Sequence, residues 1–232
     1  MYVDGEYQRN NPGWHSEDSP WKAGHIARLL NSHSIVPRHL CEVGCGAGDI
    51  LVNLARQFSA PAEFTGFELS PQAYGLCSPK ATARLHFRND SPFDGPSSGT
   101  AHAFDVAVAA DVFEHVEDYL GFLRQMRTLA EFKVFHIPLD LSVQTVLRGT
   151  PLRRLRDVVG HLHYFTKETA LASLVHAGYS VMDVRYTAHA LELPNRGWKA
   201  ALGRWPRKAL AALNPDLNVR VMGGYSLLVL AQ

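Results

Sequence analysis

Leu40-Cys-Glu-Val-Gly-Cys-Gly-Ala-Gly48 joins a short apolar run to three glycines, and Asp49 to Phe58 then carries apolar groups at helical spacing. An apolar run that stops abruptly at glycines predicts a buried strand ending in a tight turn. Glycine tolerates positive φ and carries no Cβ, so a ligand can lie directly on the backbone. A helix starting just after the turn offers free N–H groups and the positive end of its dipole. The expected local structure is strand, glycine turn, helix, with a polar or anionic ligand over the turn.

The same rhythm continues along the chain. Trp21 to Leu30 has helical spacing, with Ser19-Pro20 expected as N-cap and first helical residue. Strands are expected near 39–44, 62–68, 84–88, 104–110 and 132–137, and the last two at 179–187 and 224–231. Helices are expected at 48–58, after Ser70-Pro71, at 118–130 and at 166–177, with Gly178 ending the last of these. Residues 91–103 read as a surface loop. The alternation breaks twice, at 139–165 and around Trp198, Trp205 and Pro206. The prediction is an α/β fold: a doubly wound, mostly parallel seven-stranded sheet in one domain, 1–232. Within it, 1–37 forms an N-terminal cap and helix, 38–138 a ligand-binding core, and 139–165 and 188–224 are inserts after strand 5 and between strands 6 and 7. Ligands in such sheets bind beyond the strand C-termini, so the inserts are placed to roof the crevice.

Composition narrows the partners. The 232 residues carry 23 basic and 22 acidic side chains, a net charge of +1, which gives no bulk attraction to nucleic acid or membrane. No stretch approaches the roughly 20 apolar residues of a membrane span, and the N-terminus lacks the apolar segment of a secretory signal. A cytoplasmic protein is expected, with Cys41, Cys45 and Cys77 reduced and no disulfide or zinc framework.

Two cofactor classes compete for the glycine turn. In the nicotinamide fingerprint Gly-x-Gly-x-x-Gly, Gly44 and Gly46 would be followed by a third glycine where Asp49 stands. Glu42, two residues before Gly44, would repel a pyrophosphate but bind an ammonium. Glu68 ends strand 2, where a carboxylate reaches ribose hydroxyls. Asn89-Asp90 follows strand 3, where an adenine amino group would find a carboxylate acceptor.

Glu42-x-Gly-x-Gly-x-Gly48 resembles motif I of the class I S-adenosylmethionine-dependent methyltransferases. Phe104-Asp-Val-Ala-Val-Ala-Ala-Asp-Val-Phe-Glu-His-Val-Glu117 resembles their motif IV, and Gly160-His-Leu-His-Tyr-Phe-Thr with the later His-Ala-Gly178-Tyr resembles the tail of the small-molecule type related to the ubiquinone-biosynthesis enzymes. The resemblance covers about 38–187. It implies S-adenosyl-L-methionine as cofactor, contacted by Gly44, Cys45, Gly46 and Gly48 through backbone, with Glu42 near the methionine amino group. Glu68, with Leu69, would hold the ribose; Asn89 and Asp90 would flank the adenine; Asp111 would line the methionine end. Trp14, His15, Trp21 and Lys22 are candidates to fold over the cofactor.

Methyl transfer to oxygen or nitrogen needs alignment and a base for the acceptor. Among twelve histidines, His115, His136 and His163 are the candidate bases. His161, Tyr164 and Arg148 are candidate acceptor contacts. Glu114 and His115 are adjacent, which is poor spacing for ligation from one element, and no metal is expected. A small-molecule O- or N-acceptor is expected. Nucleic acid is not, because Asp111-Val-Phe-Glu replaces the Asn/Asp-Pro-Pro-Tyr/Phe pattern after strand 4. The alternatives are a nicotinamide oxidoreductase and a methyltransferase-fold binding protein without catalysis.

Overall fold

The computed structural model describes residues 5–14, 16–59, 61–94, 102–193 and 198–232. Its strands are β1 (His39–Val43), β2 (Glu63–Phe67), β3 (Leu85–Arg88), β4 (Phe104–Ala110), β5 (Ala130–Pro138), β6 (Val181–Thr187) and β7 (Ser226–Ala231). They form one sheet in the order β3-β2-β1-β4-β5-β7-β6. All neighbours are parallel except β7, which runs antiparallel to β5 and β6. The expected doubly wound, mostly parallel seven-stranded sheet is therefore present.

The helices are α1 (Glu6–Asn10), α2 (Ser19–Ser32), α3 (Asp49–Gln57), α4 (Pro71–Cys77), α5 (Tyr119–Met126), α6 (Val143–Arg148), α7 (Thr150–Arg154), α8 (Lys167–His176), α9 (His189–Glu192), α10 (Trp198–Leu213) and α11 (Pro215–Met222). β4 explains how two layers of helix are anchored. It is buried on both faces, as its unbroken apolar run requires. Val106, Val108 and Ala110 pack with Ile26, Leu30, Leu51 and Leu54 of α2 and α3. Ala107 and Ala109 point the other way and pack with Leu123, Met126 and Leu174 of α5 and α8. Period-2 alternation thus assigns one strand to two cores.

Caps set several boundaries. Ser70 Oγ accepts the Ala73 N–H at the start of α4, and Thr166 forms a reciprocal capping box with Thr169 on α8. Ser19 does not cap α2: the helix already begins at Ser19, and Asp18 stands at the cap position without a side-chain hydrogen bond to the turn.

β1 lies between β2 and β4, and the connections leave it in opposite directions. That is the topological switch point, and the crevice beyond the C-terminal ends of β1 and β4 is where the fold collects its ligand groups. The 139–165 insert, made of α6, α7 and a π-helical turn at Leu155–Val159, covers this crevice. The 188–224 insert contributes only His189 and Gly224 to the crevice walls among the described residues. None of the described helices is long and apolar enough to cross a membrane.

Candidate active site

A cavity of about 1070 Å³ opens along the C-terminal edge of the sheet, walled by the glycine turn, Glu68, the start of α2, the turn after β4 and the 139–165 insert. Its floor is set by the turn predicted from sequence. The N–H groups of Gly44 and Cys45 both reach the Phe67 carbonyl, at 2.8 and 3.1 Å, tying the end of β1 to β2. Gly46, at φ +54°, turns its N–H onto Glu68 Oε2 at 2.7 Å. Glu68 Oε1 accepts the Ser70 N–H at 2.8 Å. One carboxylate thereby fixes both the glycine turn and the entry to α4. Burial raises the Glu68 pKa, opposed by these N–H bonds. Each oxygen keeps a further lone pair.

Glu42 is 1% exposed, lies in the cavity wall, and its Oε2 has no hydrogen-bond partner among the described residues. Burial pushes its carboxyl well above the usual range, with Lys22 opposing. Such a group is costly unless a ligand completes it. Asp49, which stands where the nicotinamide fingerprint has its third glycine, is paired with Lys80 at 2.8 Å; the same ammonium reaches the Ala47 carbonyl at 2.7 Å and braces the turn.

Asp111 sits just past β4 with φ +55°. Its Oδ2 is 2.5 Å from Lys22 Nζ and its Oδ1 2.7 Å from His136 Nδ1. Burial works against the charge, but His136 and Lys22 hold the Asp111 pKa well below the usual carboxylate range. His136 Nε2 lies 2.9 Å from Thr187 Oγ1. Both nitrogens of His136 are thus engaged, which corrects its expected role as a base: although it lines the cavity, it ties β4, β5 and β6 together. Trp21 and Lys22 line the cavity, as does Trp14, which packs on Tyr7 at 4.6 Å between ring centres. His15 lies outside the described residues.

Another stretch of the cavity wall is polar. His115 Nδ1 lies 3.1 Å from the Gly160 carbonyl, and His161 Nδ1 lies 2.7 Å from Asp140 Oδ2. The two imidazoles meet edge to face with centres 4.7 Å apart. Glu114, fully buried between them and the core, has neither carboxylate oxygen hydrogen-bonded to a described residue, and burial pushes its carboxyl well above the usual range.

Several expected site residues lie elsewhere. His163 is not in the cavity wall: its Nε2 meets the carbonyls of Val116 and Glu117 at 3.0 and 3.2 Å, and its ring packs on Tyr119. Tyr164 donates its hydroxyl to the Leu152 carbonyl and braces the insert from outside. Arg148 ends α6 away from the cavity, and Arg154 occupies the wall instead. Asn89 donates to the Glu68 carbonyl at 2.7 Å and supports the loop, whereas Asp90 and Leu69 do reach the cavity. Gly48 sits behind the turn against Phe87 and Cys77 rather than facing the cavity. Sequence reasoning missed Tyr7, Phe93, Asp140 and His189 as wall residues. Asp140 was the most findable, since it follows Pro138 at the C-terminal end of β5. Nothing local marks Phe93 or His189.

The profile of the methyltransferase-domain family matches residues 15–184, about three quarters of the chain. The chain belongs to this methyltransferase family. Norajmaline N-methyltransferase of Rauvolfia serpentina is 27% identical over 111 residues, which are 45% of this methyltransferase but 36% of that enzyme; the match spans little more than a third of its relative. Among solved structures, an N-methyltransferase of Bradyrhizobium japonicum in complex with S-adenosyl-L-homocysteine superposes with a TM-score of 0.60 at 19% identity, covering 98% of this chain and 97% of that one. A magnesium protoporphyrin IX methyltransferase of Synechocystis, also with S-adenosylhomocysteine bound, gives 0.60 at 16% identity over 97% and 85%. At these identities the likeness is one of fold. The residues present fit S-adenosyl-L-methionine, the methyl donor that the sequence resemblance implies. The orphaned carboxylate of Glu42 is placed for an ammonium, the open backbone of Gly44 to Gly46 for close approach, and the spare lone pairs of Glu68 for ribose hydroxyls. The nicotinamide alternative is set aside.

Proposed function

We propose that the protein transfers the methyl group of S-adenosyl-L-methionine to an oxygen or nitrogen of a small-molecule acceptor held beneath the 139–165 insert. The observation that carries this reading is one cavity of about 1070 Å³ whose wall includes Glu42 and Glu68 as well as Glu114, His115 and His161. Pockets for one drug-sized ligand run to roughly 300–1,000 Å³, so this volume suits a cofactor and a small acceptor together. The apolar walls given by Phe93, Phe122, Val116 and Leu155 favour an acceptor with a flat or aliphatic body and a polar reacting end.

The bound cofactor supplies an electrophilic methyl on a sulfonium whose departure leaves a neutral thioether. The protein's share is placement and proton handling. Glu42, Glu68 and the glycine turn fix one end of the cavity. Lys22 and His136 keep Asp111 ionised where the methionine end is expected. Elsewhere in the wall His161, oriented by Asp140, and His115, oriented by the Gly160 carbonyl, are the side chains able to meet the acceptor's polar group. The single-domain organisation, with both inserts serving the acceptor, and the kinship to the ubiquinone-biosynthesis group belong to the same proposal; the Gly160–Tyr179 segment supports that kinship.

Calorimetric titration with S-adenosylhomocysteine tests the cofactor end, and a screen of hydroxylated and amine acceptors with detection of S-adenosylhomocysteine tests the reaction. Binding in the micromolar range with turnover of at least one acceptor is expected. Absence of binding would sink the reading; binding with no turnover across the panel would favour a non-catalytic binding protein.

A further inference from the structure

We propose that Glu114, His115 and His161 form a binding site for one divalent first-row transition-metal ion at the acceptor end of the cavity. The three residues come from two separate parts of the chain. Glu114 and His115 lie in the 3-10 turn Phe113–His115 after β4, and His161 lies where the chain leaves the 139–165 insert. One potential ligand atom from each, imidazole nitrogen or carboxylate oxygen, falls within 4.8 Å of the other two. Ligands held about 2.0–2.2 Å from one ion stand about 3–4 Å apart. His115 Nε2 and Glu114 Oε1 are 3.8 Å apart, already near that spacing.

The second observation is the state of Glu114. The side chain is 0% exposed and lines the cavity, yet neither oxygen accepts a hydrogen bond from a described residue. A buried carboxylate without hydrogen-bond partners costs free energy that a coordinated cation would offset. The third is the way the imidazoles are held. Metal-ligating histidines present one ring nitrogen while the other is fixed by a carboxylate or a backbone carbonyl. His161 Nδ1 is fixed by Asp140 Oδ2 at 2.7 Å and His115 Nδ1 by the Gly160 carbonyl at 3.1 Å, so in each ring Nε2 is the nitrogen turned to ligation. The backbone keeps the two halves in register: the N–H groups of Leu162 and His163 reach the Glu114 carbonyl at 2.8 and 3.0 Å.

Two imidazole nitrogens and one carboxylate suit manganese, iron, cobalt, nickel or zinc better than the all-oxygen preference of calcium. Three protein ligands leave coordination positions open toward the cavity. That narrows the acceptor class to compounds with an oxygen or nitrogen donor able to fill an open position, adjacent hydroxyls above all. Only this narrowing rests on the methyl-transfer reading; ion binding by the three side chains does not.

The test uses the tag-free full chain, stripped with chelator and titrated with Co²⁺ by calorimetry and by its visible absorption. One Co²⁺ per chain is expected, with absorption bands of a nitrogen- and oxygen-ligated ion. Glu114→Gln and His161→Ala should each weaken binding at least hundredfold, and Asp140→Asn about tenfold to hundredfold through the orientation of His161. S-adenosylhomocysteine binding is measured on the same samples and should persist in Glu114→Gln, which shows that the variant is folded. No stoichiometric Co²⁺ in a wild-type chain that binds S-adenosylhomocysteine would overturn the metal site and leave the cofactor reading standing. Equal Co²⁺ affinity in wild type and both ligand variants, or Ca²⁺ bound as tightly as Co²⁺, would also overturn it. Co²⁺ bound at the site without S-adenosylhomocysteine affinity would support the metal site while removing the methyl-transfer reading.

Discussion

Asp111 Oδ1 lies 2.7 Å from His136 Nδ1 while the other oxygen of the same carboxylate lies 2.5 Å from Lys22 Nζ, so one side chain joins the end of β4 to β5 and to the first turn of α2. The Asp111 N–H also reaches the His136 carbonyl at 2.9 Å. The positive φ of Asp111 is what lets its backbone and its side chain address the same residue. Asp111→Asn would leave the half-buried Lys22 ammonium without its counter-charge. A loss of roughly 2–3 kcal/mol in urea unfolding is expected. The double variant Asp111→Asn/Lys22→Met should recover part of it, because the unpaired charge is gone. Additive losses in the double-mutant cycle would show that the pair is not coupled.

Gly48 precedes α3 with φ +80°, and a Cβ there would meet the Phe87 ring at 2.6 Å and Cys77 Cβ at 2.8 Å. Gly48→Ala therefore combines backbone strain with overpacking, and both neighbours are held by the sheet and α4. A destabilisation of about 2–4 kcal/mol is expected, which for a chain of this size lowers Tm by roughly 5–15 °C. An unchanged melting curve would mean that the turn relaxes freely.

How far the sequence could be read follows from the range of the interactions involved. β1, the glycine turn and α3 are contiguous, so apolar runs, glycines and helical spacing located them to within a residue or two. Glu68 was legible for the same reason, as the residue just after a strand beside that turn. The acceptor end was not. Glu114 meets His161 only because the intervening insert folds back over the crevice, and no periodicity reports that return. Arg148 and Tyr164 were singled out by residue type, but α6 and α7 have six and five residues, too few for a hydrophobic stripe to say which side faces inward. His161 and His163 are two apart in an extended segment, yet one meets Asp140 and the other the carbonyls after His115. Sequence alone left open which of them faces the cavity.

Lys133 lies in the middle of β5, 4% exposed, with its Nζ 5.7 Å from the centre of the Tyr179 ring. Burial, helped by Arg127, pushes its ammonium down to about 8. Below that pH both folded and unfolded chains carry the proton and the full cost of burying the charge is present. Between about pH 8 and the unfolded lysine value near 10.4, the unfolded chain binds more protons, so stability rises with pH. Lys133→Met should flatten this rise and stabilise the protein at pH 7, on the order of 1–2 kcal/mol. Parallel pH–stability curves for the two proteins would refute the assignment.

Glu68 and Glu42 separate two kinds of ligand contact. Glu68 already holds the glycine turn through the Gly46 and Ser70 N–H groups, and charge-assisted bonds to two ribose hydroxyls would add to this. Glu68→Ala removes both functions. It should weaken S-adenosylhomocysteine by roughly 30- to 300-fold, about 2–3.4 kcal/mol, with a measurable loss of thermal stability. Among the described residues Glu42 makes no comparable hydrogen bond, and its Oε2 is orphaned. Glu42→Gln should therefore leave the unliganded protein as stable or more stable while weakening ligands that carry the amino group. Comparing S-adenosylhomocysteine with 5′-methylthioadenosine, which lacks that group, decides the point. The Glu42→Gln penalty should appear for the first and vanish for the second, whereas the Glu68→Ala penalty should appear for both. Equal penalties for Glu42→Gln on the two ligands would remove Glu42 from the ammonium site.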